Sequence, residues 1–443
     1  MEKSREINFH KLEDISFGNK LFLIGIFFLS SALPISGIFL IFSLILSFKK
    51  EPILIKDKWN YPLFLSIGII LFGTLNISFF NKPQILSEFT ISTIWINLFN
   101  WIPIFLYYWG FQSFLRTEAQ RLIFLKVLVS GSFPVIISFI LQKYFGLYGP
   151  HETLFGLIVW FQKPIMANGS ASGLFSNPNY AAIWLVLLLP FSITLFKLSK
   201  GNYLKKFLMA VFCFLITYMI LLTGSRNGII GIFITYICIY GFKRILIIIG
   251  SLITFITTTK LFEFLLNTKI SILSIFLPES IFLKIREFNS FSSPRFEIWQ
   301  STFSRIQERP LFGWGPSTFS FLNLHNNSNL NIPYKIVDAN HSHNIVLELA
   351  HNFGVPLSLI LSIRVFVLLF KSWRFIFIQK ISINKSLLLE KAWFCSTTIF
   401  VISHLSDITL YDGKISILIS ILFAGLKCLL DENIKNSYLF YND

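Results

Sequence analysis

Apolar runs recur along the whole of this 443-residue chain. A helix of roughly 20 apolar residues crosses the hydrocarbon core of a bilayer, and several of the runs reach that length. Charged residues make up only 14% of the chain, whereas about a quarter is usual in a soluble domain. The sequence therefore predicts an all-α polytopic membrane protein. Its eleven apolar runs cover approximately residues 20–48, 61–80, 91–111, 122–141, 178–196, 206–223, 228–242, 245–266, 343–370, 391–407 and 415–430.

The distribution of lysine and arginine predicts how these runs cross the membrane, because cytoplasmic loops carry an excess of both. The first run is too long for one ordinary span, contains Pro34, and has a basic cluster at each end. We therefore expect two crossings hinged near that proline. This gives about twelve transmembrane helices with both termini cytoplasmic. It also explains the net charge of +16 without nucleic acid as a partner.

Three regions follow from this topology. Residues 1–266 form an N-terminal bundle of about nine spans, 267–340 form a large and partly helical periplasmic (outer) loop, and 341–443 hold the last helices and a cytoplasmic tail. The outer loop carries seven basic and five acidic side chains. Because these charges nearly balance, an anion site there would depend on particular arginines.

Histidines are concentrated in the stretch ANHSHNIVLELAHNFGVP (339–356), which holds three of the 7 in the chain. The sequence leaves three interpretations open for His341 and His343. They could be exposed groups beside a helix cap, or they could bind zinc together with Asp338. Alternatively, His343 could act as a general base at the membrane surface, since a neutral imidazole accepts a proton from a hydroxyl near pH 7.

The same stretch leads into an apolar helix that Asn340 or Ser342 could cap. Glu348 and His351 lie further along the run, and ionisable groups at membrane depth are candidates for function. For His351 we expect instead a mutual polar contact inside the bundle.

Two arginines on the outer side suit an anionic ligand. Arg226, in LLTGSRNGIIG, is the only charge between two apolar runs, and the flanking Gly224 and Gly228 let the backbone approach a ligand closely. A guanidinium fork matches phosphate oxygens, although an interfacial arginine can also simply extend towards water. Arg295 follows Pro294, which can open a helix at its first turn.

Other polar stretches are predicted to have structural roles. The helix after Pro294 shows an apolar stripe at helical spacing, which we interpret as a packing face: Phe296, Trp299, Phe303 and Ile306. RPLFGWGPSTF predicts a helix end and a tight turn. Asn177-Pro178-Asn179 predicts a helix start. His404, Asp407 and Asp412 fall at the outer end of the eleventh helix, where polar residues often cap.

Taken in order, these stretches resemble the O-antigen ligase and polymerase superfamily, which are bacterial membrane glycosyltransferases. The histidine motif of the family is His, then Asn, Ser or Gln, nine residues, Gly, two residues, and Gly, Thr or Tyr. Here His343, Asn344 and Gly354 match, while Leu357 departs from the last position. SNPN, GSRNG and RPLFGWGPSTF are also similar, so the resemblance extends from about Gly173 to Gly425. HLSDITLYDGKISILISILFAG resembles cyanobacterial members, some of which are labelled inorganic-carbon transporters.

The resemblance implies a reaction. A glycan on an undecaprenyl-diphosphate carrier in the bacterial inner membrane would pass to an acceptor hydroxyl, on lipid A core or another glycan, without a metal or other cofactor. It also implies the site: His343 as the catalytic base, Arg226 and Arg295 as diphosphate-binding residues, and Asn344, Asn179 and Asp407 as supporting residues.

Two alternatives accompany this interpretation, a polysaccharide polymerase of the same superfamily and a membrane transporter. A transporter would place ionisable groups near the middle of the membrane. In this sequence the polar stretches fall at the outer surface, and the ionisable residues expected within a span are Glu348, His351 and Arg364.

Overall fold

The computed structural model describes residues 16–441 except for 51–56, 85, 161, 168, 200, 245, 248–249, 252–253, 255–256, 260–293, 323–338 and 380–383. Most of the predicted apolar run at 245–266 and most of the predicted outer loop at 267–340 therefore lie outside the described residues. So does Asp338, one of the residues considered as a zinc ligand.

The described chain is mostly helical and has almost no sheet. Its α-helices are α1 (Phe17–Phe28), α2 (Leu33–Lys50), α3 (Tyr61–Leu75), α4 (Glu88–Asn97), α5 (Ile102–Phe111), α6 (Glu118–Gly131), α7 (Phe133–Phe145), α8 (Pro178–Leu198), α9 (Tyr203–Leu222), α10 (Arg226–Tyr240), α11 (Pro294–Glu308), α12 (Ile345–Phe353), α13 (Val355–Trp373), α14 (Asn384–Ser403) and α15 (Gly413–Tyr441). A small antiparallel hairpin, β1 (His151–Thr153) with β2 (Ile158–Trp160), lies between α7 and α8.

Within the described residues, seven helical stretches are long and apolar enough to cross a membrane. They are Lys58–Phe80, Thr90–Phe114, Glu118–Phe145, Pro178–Leu198, Tyr203–Leu222, Val355–Gln379 and Gly413–Ile434. The chain is therefore a helical membrane protein, and the count of twelve spans stays a prediction. The first apolar run is divided into α1 and α2 as expected, with Pro34 in the first turn of the second helix.

Contacts between distant segments group them at two ends of the bundle. At one end the Trp160 indole donates to the carbonyl of Ser31 at 2.6 Å, and the Asn179 amide donates to Asp407 at 2.9 Å. At the other end Lys427 forms an ion pair with Asp57 at 3.2 Å. In each of these contacts, the two segments had been assigned to the same side by the charge distribution. Which end faces the cytoplasm stays a prediction.

The run at 343–370 is not one helix, which corrects the prediction that Glu348 and His351 lie within a membrane-spanning helix. They lie on the short helix α12, and the spanning helix α13 begins only after Gly354. Gly354 has φ 91°, and a Cβ there would lie 2.1 Å from the carbonyl oxygen of Leu311. Glycine is the residue type that tolerates both a positive φ and this close contact with the Leu311 carbonyl. The helical pattern is therefore interrupted at Gly354.

Helix α11 begins at Pro294 as predicted, but its packing face coincides only partly with the predicted stripe. Ile306 is buried as expected, whereas Phe296 and Phe303 are 69% and 55% exposed. The other buried residues of the helix include Ile298, Thr302 and Arg305. The buried side chains are spaced as one helical face that includes a threonine and an arginine, and a stripe drawn from apolar residues alone missed both.

Candidate active site

The loop before α12 places the predicted catalytic histidine at the end of the bundle that also holds Asn179 and Asp407. Helix α12 is capped by Asn344, whose side-chain oxygen accepts from the backbone N–H groups of Val346 at 2.9 Å and Leu347 at 3.2 Å. The prediction that Asn340 or Ser342 would be the cap was therefore wrong. The Asn344 amide also donates to the carbonyl of Leu405 at 3.0 Å, which ties this helix start to the segment after α14.

His343 and Asp407 form a hydrogen-bonded pair across this junction. The distance from Nδ1 of His343 to Oδ1 of Asp407 is 2.8 Å. A carboxylate in this position favours the tautomer with the proton on Nδ1, so that Nε2 is left as the proton acceptor. The His343 side chain is 28% exposed and that of Asp407 only 8%. The imidazole is thus open on one side and held by a buried carboxylate on the other.

Asp407 is held in place by two further donors. Its Oδ2 accepts from the Asn179 amide at 2.9 Å, and its Oδ1 also accepts from the backbone N–H of Ile408 at 3.0 Å. Burial alone would raise the pKa of this carboxyl, but the hydrogen bond from His343 and electrostatic interactions with His343, Arg295 and His341 hold its pKa below the usual value. Asp407 is therefore ionised at neutral pH and does not serve as a helix cap.

His341 lies directly beside the pair. Its ring centroid is 4.2 Å from that of His343, and its Nδ1 accepts from the backbone N–H of His343 at 3.2 Å. Burial lowers the pKa of His341, and neighbouring His343 lowers it further. A neutral His341 contributes a fixed acceptor to the loop, which is a different task from that of His343.

A buried polar network fixes the base of the loop. The Glu348 carboxylate accepts from the backbone N–H of Ser342 at 2.9 Å, the Tyr411 hydroxyl at 2.6 Å and the Asn352 amide at 3.2 Å. The Asn352 oxygen lies 3.0 Å from Nδ1 of His351. The polar contact expected between Glu348 and His351 is therefore indirect, through Asn352. Glu348 also links α12 to the loop that carries His343.

The two predicted diphosphate-binding arginines lie at the same end of the bundle. Arg295 in α11 is half-buried and close enough to influence the ionisation of both Asp407 and His341. Arg226 is exposed at the first position of α10. Its neighbour Asn227 donates to the carbonyl of Ser403 at 3.3 Å, and its side-chain oxygen accepts from Ser406 at 2.9 Å. The turn with Arg226 is thereby joined to the segment that contains Asp407.

His341, His343 and Asp407 also lie close enough together to bind one metal ion. One ligand atom from each of His341, His343 and Asp407 lies within 4.8 Å of the others. The Asp407 oxygens, however, already accept three hydrogen bonds from the protein. A carboxylate satisfied in this way fits a hydrogen-bonded pair better than a metal ligand.

An apolar cavity of about 360 Å³ opens beneath the site, between α5, α12, α13, α14 and α15. Ile345, His404 and Leu405 line it near the candidate site, and Tyr108 and Arg364 line it further along the helices. Arg364 stacks over the Trp59 ring at 3.7 Å. A cavity with this apolar lining suits a hydrocarbon chain whose polar end lies near the loop of His343.

Comparison with known protein families supports the resemblance seen in the motifs. Residues 211–362, from within α9 to within α13, match the family model described as O-antigen ligase. The matched segment is about a third of the chain. Over this segment the resemblance to the O-antigen ligase and polymerase superfamily, drawn from the sequence motifs, is confirmed. No curated protein matches the chain.

The superfamily match contains His343, Arg226 and Arg295, whereas Asn179 and Asp407 lie outside the matched residues. The structure brings Asp407 to His343 across 64 positions of sequence, and Asn179 to Asp407 across 228. The sequence did not indicate a role for Asn227, Ser406 or Tyr411. Asn227 lies at the start of a helix, and Ser406 and Tyr411 lie between two helices, where their residue types are ordinary. Leu357, which differs from the last position of the family's histidine motif, is fully buried in the first turn of α13.

Proposed function

We propose that this protein is a membrane glycosyltransferase that moves a glycan from an undecaprenyl-diphosphate carrier to an acceptor hydroxyl, with His343 as the general base. The observation that carries the proposal is the 2.8 Å hydrogen bond between His343 Nδ1 and Asp407 Oδ1 beside an open face of the imidazole. A base needs a free ring nitrogen and a partner that stabilises the proton it gains, and this pair supplies both.

In the proposed step the acceptor oxygen attacks the anomeric carbon of the donor sugar. Nε2 of His343 removes the hydroxyl proton as the new glycosidic bond forms. The bond between the anomeric carbon and the diphosphate oxygen breaks, and the electron pair leaves with undecaprenyl diphosphate. Asp407 stabilises the imidazolium, and Asn179 keeps Asp407 in place through its 2.9 Å hydrogen bond.

Negative charge increases on the diphosphate as its bond to the sugar breaks. Fixed cations contribute most at such a position, and we assign this role to Arg226 and Arg295. Their location at the same end of the bundle as Asp407 supports the assignment. The reaction as written uses no metal ion and no nucleotide sugar.

We assign the polyprenyl tail of the donor to the apolar cavity below the loop. The cavity is lined almost wholly by apolar side chains and begins beside Ile345 and His404, close to the proposed base. A lipid in this position would present its diphosphate at the level of the loop. An acceptor on lipid A core would make the chain a ligase, and an acceptor on another repeat unit would make it a polymerase.

The proposal is tested by His343→Ala in the purified protein, with transfer from a lipid-linked donor as the measurement. We expect a loss of about 100-fold or more, the usual effect of removing a positioned base. Donor binding should persist, because it is assigned to the arginines. His341→Ala is the matched control, since it changes the same residue type two positions away and removes no proposed proton acceptor.

Two results would overturn the assignment. Transfer at the original rate in His343→Ala would exclude it as the base. An equal loss in His341→Ala would indicate damage to the loop or a shared metal ion, and a metal-replacement experiment would separate these.

A further inference from the structure

The hairpin between α7 and α8 carries an exposed apolar tip. Thr153 pairs with Ile158, so residues 154–157 form the turn. Within it Leu154 and Leu157 are 55% and 51% exposed, and Phe155 is exposed over its whole surface. Large apolar side chains presented together in this way usually mark a contact with a partner or a membrane.

The turn adopts an unfavourable backbone to present these side chains. Leu154 has φ 52° and Phe155 has φ 56°, both in the left-handed region. Hairpin turns that need two such residues favour Asn-Gly or Asp-Gly, and a bulky residue there is an outlier. Backbone strain of this kind is often found at functional sites. We therefore infer that Leu154 and Phe155 are present for their apolar side chains and not because they favour the turn conformation.

The base of the hairpin is firmly attached to the bundle. The Trp160 indole donates to the carbonyl of Ser31, between α1 and α2, at 2.6 Å, and the backbone N–H of Gly149 donates to the carbonyl of Gln162 at 2.8 Å. Ile158 is buried. The tip therefore projects from a fixed base at the end of the bundle that holds the candidate active site.

An apolar surface on α7 leads to this hairpin. Phe133, Ile137 and Tyr144 are exposed on one face of α7, which belongs to the candidate span Glu118–Phe145. In a membrane-spanning helix such a face contacts lipid. Exposed apolar residues continue beyond the end of the helix through Leu147 and Tyr148, just before β1.

We propose that the hairpin tip inserts into the headgroup region of the membrane leaflet on the side of the active site. A three-residue strand extends about 10 Å, which is comparable to the headgroup layer of one leaflet, roughly 5–8 Å thick. Aromatic side chains are favoured at this depth. His151 and Glu152, both exposed, lie on β1 and remain at the aqueous side.

This contact anchors the segment between α7 and α8 at the membrane surface. That segment also supports the donor side of the site, because the backbone N–H of Ala171 donates to the carbonyl of Leu222, four residues before Arg226, at 3.1 Å. The inference depends on the membrane location of the chain and not on the transfer reaction.

The test uses Phe155→Cys carrying an environment-sensitive fluorophore, in vesicles of phosphatidylethanolamine and phosphatidylglycerol. Quenching by a nitroxide on the lipid is compared with quenching by aqueous iodide. Glu152→Cys with the same label is the matched control, and the labelled unsubstituted chain gives the background from its four cysteines. We expect the label at 155 to be quenched several-fold more by lipid nitroxide than by iodide, and the label at 152 to show the reverse.

A second variant separates the contribution of the tip from that of the fluorophore. Leu154→Ser with Leu157→Ser, combined with the label at 155, should shift quenching towards iodide. Should Phe155→Cys fail to fold, the label is placed at Leu157. Equal access of iodide to the labels at 155 and 152 would overturn the proposal. Protection of the label from both quenchers would overturn it too, because it would place the tip against protein.

Discussion

Replacing Asp407 by Asn tests how the carboxylate acts on His343, because the change removes charge with little change in size. Oδ1 of Asp407 accepts from His343 and from the backbone of Ile408, at 2.8 and 3.0 Å. The oxygen of the new amide must take this place, since both neighbours donate. The amino group then faces Asn179, whose own amide can reverse to accept from it. The ring orientation and tautomer of His343 are thereby retained, and the charge alone is lost.

The expected effect follows from the charge of this hydrogen bond. A hydrogen bond to a charged group contributes about 1.5–3 kcal/mol, and its charge matters most when His343 becomes protonated in the transition state. At about 1.4 kcal/mol for each tenfold change in rate, we expect kcat to fall by about 10- to 150-fold. Because His343 is 28% exposed, solvent screening favours the lower part of that range.

The assay is transfer from a lipid-linked donor by the purified protein in vesicles, with kcat and KM measured for donor and acceptor. We expect the loss in kcat and little change in donor KM, because donor binding is assigned to the arginines. Asp412→Asn is the matched control. Asp412 accepts from the backbone N–H groups of Lys414 at 3.0 Å and Ile415 at 3.2 Å, and asparagine caps a helix equally well.

The reasoning would be refuted by an unchanged kcat in Asp407→Asn, since His343 would then act without the carboxylate. A similar loss in Asp412→Asn would show that the loop, rather than the pair, is sensitive to substitution. Asp407→Ala should be worse than Asp407→Asn, because it leaves the Ile408 N–H and the Asn179 amide without their acceptor.

Four further predictions follow. Arg226→Lys should reduce transfer nearly as much as Arg226→Ala, because lysine keeps the charge but lacks the two-pronged guanidinium; full transfer by the lysine variant would favour a simple interfacial role. Chelation by EDTA should leave transfer intact, and a loss restored by zinc would favour the metal arrangement. Because burial lowers the folded-state pKa of His341 below its usual 6.5, the thermal unfolding midpoint should fall as pH drops below that value, and less so in His341→Gln. A reporter fused at Asn327 should lie on the outer side and one at Lys380 in the cytoplasm, and the opposite result would invert the topology.

Much of the site could be predicted from sequence because its members occur in local patterns. Asn177 and Pro178 start α8 as their residue types require, and Pro294 opens α11. These positions obey rules that involve only a few neighbouring residues. The family motif added His343 and Arg226 in the same way.

The pairing of His343 with Asp407 could not be obtained from such rules. Asp407 follows a helix end, where capping is the commonest role of an aspartate, and nothing nearby in sequence distinguishes it from Asp412, which does cap. Their roles differ because α14 brings Asp407 to the loop of His343 from 64 positions away. Tertiary packing, and not the local sequence, therefore decides which of the two aspartates contacts His343.

The break at Gly354 was missed for a related reason. The apolar residues on both sides of it continue a helical pattern in the sequence. The break is explained instead by the close contact between Gly354 and the carbonyl of Leu311, which belongs to a different segment. This break also explains why Glu348 is available to the loop. On a short helix separate from α13, its carboxylate lies close enough to the backbone of Ser342 to accept at 2.9 Å.

The loop itself combines a strained residue with fixed neighbours. His343 has φ 53°, a left-handed conformation that costs about 1–3 kcal/mol for a residue other than glycine. The residue before it is bonded to Glu348 and the residue after it caps α12, so neither side can relax. Glycine would remove the strain but also the imidazole. The buried Glu348 network therefore stabilises a backbone conformation that is unfavourable for a residue other than glycine. In doing so it directs Nδ1 of His343 towards Asp407 and leaves the opposite edge of the ring open, where we propose that the acceptor hydroxyl binds.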